Sequence, residues 1–132
     1  MRAHIEIVTT PIDRDRYAVA SQPHNAGAIV EFFGVVREDE SGSAIQGIDY
    51  EAFREMAEHQ LRLLAVKAIQ EHQLLGLLCI HRVGFVPVGA PSLYIRVTSS
   101  HRAEAFAAMT EFIDQLKKIV PIWKHPIQRD QE

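Results

Sequence analysis

Apolar residues recur along this chain at two different periods, and the switches between them divide it into strands and helices. Alternation over His4-Ile5-Glu6-Ile7-Val8 predicts a first strand, and Thr9-Thr10-Pro11 leads from it into a short helix over residues 13–21. Residues 27–36, dense in Ile, Val and Phe, read as a long and mostly buried strand. The polar run 37–43 reads as an exposed loop before a strand over 45–53, with strand pairing expected across it. Residues 54–73 carry apolar side chains at Met56, Leu61, Leu64, Ala65 and Ala68 with charges between them, the pattern of an amphipathic helix of about five turns. Three strands follow at 75–83, 85–88 and 92–99, separated by Gly84 and Gly89-Ala90-Pro91, and Pro87 puts the middle one at an edge.

The last helix is expected to start at Ser99-Ser100, either of which can cap it, and to run to about Val120. Ala105, Ala108, Phe112, Leu116 and Ile119 form its apolar stripe, with lysines at the border. Pro121 ends it, lacking an amide hydrogen and disfavouring helical geometry at Val120. Trp123 is expected to anchor the segment after the helix and so hold Lys124 in a defined place. The order βαββαβββα predicts a single α+β domain over 1–132, with a largely antiparallel sheet covered by helices.

Composition narrows the function classes. A chain of 132 residues that is 47% hydrophobic holds a core large enough to fold without disulfide or metal staples. Its one cysteine, Cys79, lies between Leu78 and Ile80 and reads as a buried, inert thiol. The longest apolar run, Leu74 to Ile80, is too short to cross a bilayer, and the N-terminus has no signal-peptide core, so a cytoplasmic protein is expected. A net charge of −3 argues against a general nucleic-acid binder, which leaves any anion site local. The seven histidines show no metal-ligand spacing, and no metal site is expected. Gly84 and Gly89 have the offset of a phosphate loop, but Ala90-Pro91 stands where Lys-Ser/Thr is required.

Several basic residues then stand out. His101 and Arg102 fall at the start of the last helix, where the dipole disfavours positive charge unless an anion compensates it. The alternative is a surface pair of Arg102 with Glu104 or Glu51. Arg37 ends a buried strand, either as a binding residue or as a solvated loop arginine among Glu38, Asp39 and Glu40. Arg82, with His81, ends another strand and can equally be structural. Lys117, like Lys118, either complements the helix dipole or serves function, and Lys124 follows the proline.

Several blocks resemble one family. Gly27-Ala28-Ile29-Val30-Glu31-Phe32-Phe33-Gly34-Val35-Val36-Arg37, Tyr50-Glu51-Ala52-Phe53 with Met56-Ala57, and His81-Arg82-Val83-Gly84 are similar to the large, catalytic subunit of molybdopterin synthase. Ser99-Ser100-His101-Arg102-Ala103-Glu104-Ala105-Phe106 and Leu116-Lys117, followed by Pro121-Ile122-Trp123-Lys124, extend the resemblance in the same order, from about His4 to Lys124. It implies an α/β hammerhead fold and a sulfurtransferase that needs no cofactor of its own. It further implies a large-subunit homodimer within a heterotetramer, each large subunit carrying a small ubiquitin-like sulfur carrier. The carrier's C-terminal Gly-Gly thiocarboxylate would insert into the large subunit, and two such sulfurs would convert cyclic pyranopterin monophosphate into the dithiolene of molybdopterin.

Carried over by motif, Lys117 and Lys124 are the expected catalytic residues, and Arg37, His101 and Arg102 the expected binders of the substrate phosphate. A lysine among cations serves as base or nucleophile, whereas a charged lysine stabilises a developing oxyanion. The chain departs from the family where His125-Pro126 follows Trp123-Lys124, where Phe53 replaces a frequent tyrosine, and where Ala90 replaces a frequent glutamate. The competing reading is an inactive relative that binds the small subunit or an anionic pterin without turnover.

Overall fold

A computed structural model describes residues 2–40 and 42–129. Eight strands and two helices follow in the order β1 (Ala3–Val8), β2 (Ala28–Val35), β3 (Asp39–Glu40), β4 (Ser43–Ala52), α1 (Arg54–His72), β5 (Gly76–Arg82), β6 (Gly84–Pro87), β7 (Pro91–Ser99), α2 (Arg102–Ile119) and β8 (Ile122–Gln128). The larger sheet has the order β1-β5-β7-β2, parallel between β1 and β5 and antiparallel elsewhere. In the smaller one β4 is flanked by β6 and β8 and also pairs with β3, all antiparallel. This is the α+β architecture expected from the element order. Among the described residues no helix is long and apolar enough to cross a membrane.

The helices cover one face of the larger sheet. Ala57, Leu61, Leu64, Ala65 and Ala68 of α1 pack with Ala105, Ala108, Phe112 and Leu116 of α2 onto Leu77, Cys79, Ile95 and Val97. Cys79 is fully buried, and that burial pushes its thiol well above the ordinary range. The opposite face of the same strands, with Leu78, Ile80 and Tyr94, is covered by Val8, Ile12 and Tyr17. A separate small core of Val36, Ile45, Ile48, Tyr50 and Val86 holds the smaller sheet together.

The structure corrects several sequence expectations. The helix expected at 13–21 is one 3-10 turn over Arg14–Tyr17, capped by Asp13 but burying no residue, so nothing propagates it. Part of the 37–43 loop is the β3–β4 hairpin, whose turn uses Gly42 at φ 81°; Ser41 lies outside the described residues. The strands flanking that loop belong to different sheets, β2 pairing with β7 rather than with β4. His101, and neither Ser99 nor Ser100, is the N-cap of α2; the Ser99 hydroxyl instead donates to the His101 carbonyl. Met56 and Ile119, counted into the apolar stripes, are exposed at the helix ends.

The largest omission is β8. Its alternation is weak and it contains Pro126, which the antiparallel ladder accepts because β8 is an edge strand. This ladder, and not burial of Trp123, fixes the segment after α2. Trp123 is 44% exposed and stands edge-on to Phe53.

Candidate active site

Three local devices bring chain ends together at one place. The first is a bulge at the end of β2, where Gly34 pairs with Leu93 but Val35 pairs with Pro91, so that Ser92 has no opposite residue. Beyond it the Val36 amide donates to the Ala90 carbonyl, and the Gly89 amide donates back to Val36, which steers Arg37 out of the sheet. Gly89 turns at φ 88°, a conformation that disfavours any side chain. The second device is the link from α2 to β8. Val120 leaves the helix in an extended conformation ahead of Pro121, and the Ile122 amide donates to the Val120 carbonyl at 2.8 Å in a three-residue turn. Lys117 in the last turn of α2 and Lys124 in β8 are thereby fixed on either side of a rigid corner. The third is the β4–β8 ladder, which sets Lys124 opposite Tyr50.

Between these devices opens a cleft of about 600 Å³ lined by Arg37, Lys117, Lys124, His81 and Tyr50, with Phe32 and Phe33 among its apolar walls. Glu40 is the one carboxylate in its lining. Among the described residues none of Arg37, Lys117 and Lys124 enters an ion pair. A concave site with three uncompensated cations against one acid is built for an anion.

The neutral groups are held more tightly. The Tyr50 hydroxyl donates to Ser92 Oγ at 3.0 Å, and Ser92 in turn reaches the Gly34 carbonyl at 3.4 Å, tying β4 to the bulge. Burial raises the Tyr50 pKa, against a lowering by that hydrogen bond, so the phenol stays protonated. The His81 ring packs edge-on to Tyr50 at 5.4 Å with its Nδ1 2.9 Å from the Arg82 carbonyl. Burial and, against a smaller opposing effect of that hydrogen bond, the nearby Lys124 lower its pKa to about 4, which keeps the imidazole neutral.

Of the five residues expected in the site, Arg37, Lys117 and Lys124 meet in this cleft; Lys118 does not line it. His101 and Arg102 are exposed at the opposite end of α2. Fifteen helical steps separate Arg102 from Lys117, about 22 Å at a rise of ~1.5 Å per residue. Sequence reasoning gives no role to Tyr50, Ser92 or Glu40, and it leaves His81, grouped with Arg82, open between a binding and a structural role. The available signal is strand alternation: His81 shares a face with Leu77 and Cys79, towards the helices, whereas Arg82 does not line the cleft.

The family model described as MoaE protein matches residues 7–119. The chain belongs to the MoaE protein family. It is 43% identical over 103 residues to a molybdopterin synthase catalytic subunit of Thermoplasma volcanium, covering 78% of this chain and 75% of that protein. A Bacillus subtilis protein of the same name is 34% identical over 127 residues, covering 96% and 81%. The crystal structure of molybdopterin synthase from Staphylococcus aureus superposes with a TM-score of 0.87 at 33% identity, covering 96% of this chain and 92% of that one. MoaE family membership agrees with the resemblance carried by the blocks from Gly27 to Lys124.

Proposed function

We propose that this chain is the catalytic subunit of a cytoplasmic molybdopterin synthase, acting in the cleft between α2, β2 and β8. It takes sulfur from the thiocarboxylated C-terminus of a small ubiquitin-like subunit and passes it to cyclic pyranopterin monophosphate. The observation that carries this reading is the convergence of Arg37, Lys117 and Lys124 in one cleft, without ion-pair partners among the described residues. Both reactants are anionic, one through its thiocarboxylate and the other through its phosphate, so uncompensated cations draw them to the same place. Arg37 offers the planar fork that suits phosphate oxygens. Lys117 and Lys124 flank the reacting atoms, where an amine can take or deliver a proton and an ammonium can stabilise an oxyanion.

His101 and Arg102 can serve this cleft only from a second chain, because a helix length lies between them and Lys117. The free edge of β2 supports such a homodimer. It is the end strand of its sheet, has eight residues without proline, and exposes Ile29, Phe33 and Val35. Two copies of β2 paired antiparallel set Ala28 of one chain near Val35 of the other. Ala28 sits against Ser99, at the foot of α2, and Val35 leads to Arg37, so each copy presents His101 and Arg102 to its neighbour's cleft.

The test is product formation from cyclic pyranopterin monophosphate and thiocarboxylated small subunit. Wild-type protein forms molybdopterin, and Lys117→Ala or Lys124→Ala lowers the rate by about 100-fold or more. Full rates in both variants overturn the assignment of the site.

A further inference from the structure

One polar group on the cleft wall is left without a task by the cations. The His81 ring is 5% exposed, yet it lines the cleft beside Lys124 and Lys117. Its Nδ1 faces the Arg82 carbonyl at 2.9 Å, and a carbonyl can only accept, so Nδ1 carries the proton. The imidazole is neutral, and Nε2 is therefore a bare lone pair. The ring cannot easily turn. Tyr50 stands edge-on against it at 72° and is itself pinned through its hydroxyl to Ser92. On the neighbouring strand Leu93 is its partner in the ladder, which offers no polar side chain.

A buried, uncharged acceptor differs from the charged groups of this cleft, the three cations and the Glu40 carboxylate. Arg37, Lys117 and Lys124 offer only donors, and they satisfy the charged parts of a ligand. Resting on the reading of the cleft as a pterin phosphate site, we propose that His81 is a specificity-determining residue whose Nε2 accepts a hydrogen bond from a ring N–H or a hydroxyl of the bound pterin. A site holding one buried acceptor discriminates strongly against a ligand that meets it with another acceptor or with carbon, because the lone pair is then left unpaired away from water. The cations bring in anions of many kinds; His81 selects among them.

The experiment follows the ¹⁵N resonances of His81 in the full chain during titration with cyclic pyranopterin monophosphate, with inorganic phosphate as control, and measures affinity by calorimetry. The expected result is a shift of Nε2 with the pterin and none with phosphate, about tenfold weaker pterin binding in His81→Phe, and affinity largely kept in His81→Gln, which retains an acceptor. Pterin binding that leaves Nε2 unmoved, or equal affinities for the Phe variant and wild type, overturns the role of His81 while leaving the cleft's function in place. Absence of pterin binding to the wild type overturns both. The wild-type resonances decide between these outcomes even where a variant fails to fold.

Discussion

The two halves of β2 present charge in opposite ways. Near its middle, Glu31 accepts from Arg14 Nε and Nη2, each at 2.8 Å, and from the Tyr94 hydroxyl, while Arg96, its ladder partner, donates to the Tyr17 carbonyl. Hydrogen bonding by Arg14 holds the Glu31 carboxyl down at about 2. Past the bulge, the strand delivers Arg37 into a cleft where three cations form no ion pair among the described residues. Tyr94 also stacks on Phe33 at 4.7 Å, which makes the first region continuous with the packed sheet. The contrast separates two uses of charge: a closed network fastens the N-terminal segment to the sheet, and an open one waits for a ligand. Open cationic groups repel one another in the empty protein, a cost recovered only when an anion binds.

The largest effect concerns the two ends of β2 in a dimer. A chain carrying Lys117→Ala is expected to be nearly inactive, and so is a chain carrying His101→Ala with Arg102→Ala. When the two are unfolded together, refolded and assayed, half the dimers hold one cleft with its lysine and its neighbour's His101 and Arg102 intact. Activity then returns to about a quarter of wild type, as random pairing of two chains in a two-fold dimer requires. No recovery would mean that the two ends of α2 do not share a substrate.

Acid separates the regions next. His81 is neutral in the fold with a pKa lowered to about 4, from an ordinary 6.5. The unfolded chain therefore binds a proton that the folded chain refuses, and stability is complete above pH 6.5, falls between 6.5 and 4, and is lower by about 3 kcal/mol beneath that window. Glu31 has the later window. Its contribution is present above its ordinary 4.5 and is lost only as pH falls through about 2. Urea unfolding at steps from pH 7 to 4 checks this: wild type weakens across the range, and His81→Gln removes most of that slope while leaving the Glu31 region unaffected.

These differences also explain what was legible in the sequence. The long strands and both helices were readable because the central strands are near-continuous apolar runs buried on both faces, and the helices carry period-3.6 stripes such as Ala105, Ala108, Phe112 and Leu116. β8 was not, since a strand lying on an edge with Trp123, Lys124, His125 and Pro126 exposed has no buried face to mark it. Arg37, Lys117 and Lys124 were legible only as members of motifs, because an exposed lysine at a helix end looks the same with or without a task. His81 was hidden for the opposite reason. Beside Arg82 it reads as one of two polar residues closing a strand; alternation with Leu77 and Cys79 puts the two on opposite faces, and the packing of Tyr50 on His81 shows that its face borders the cleft. The separation of His101 and Arg102 from Lys117 follows from helix length alone and was available from the sequence.

The smallest effect tests whether charge near Glu31 is structural at all. Glu31→Ala deletes the acceptor for Arg14 and for the hydroxyl of the buried Tyr94, leaving the latter unpaired, and is expected to cost about 1 kcal/mol of stability, since the Arg14 side of the network is open to water. Turnover should stay within about twofold of wild type, because no atom of this network lines the cleft. Arg37→Ala should do the reverse. Arg37 is exposed and enters no ion pair among the described residues, so its removal is expected to change stability by less than about 0.5 kcal/mol, while the Michaelis constant for the pterin phosphate rises about tenfold. Thermal unfolding and steady-state assays on both variants give four numbers, and the comparison requires them to cross. If Glu31→Ala lost turnover, or Arg37→Ala lost stability, the division of β2 into a fastening half and a binding half would fail.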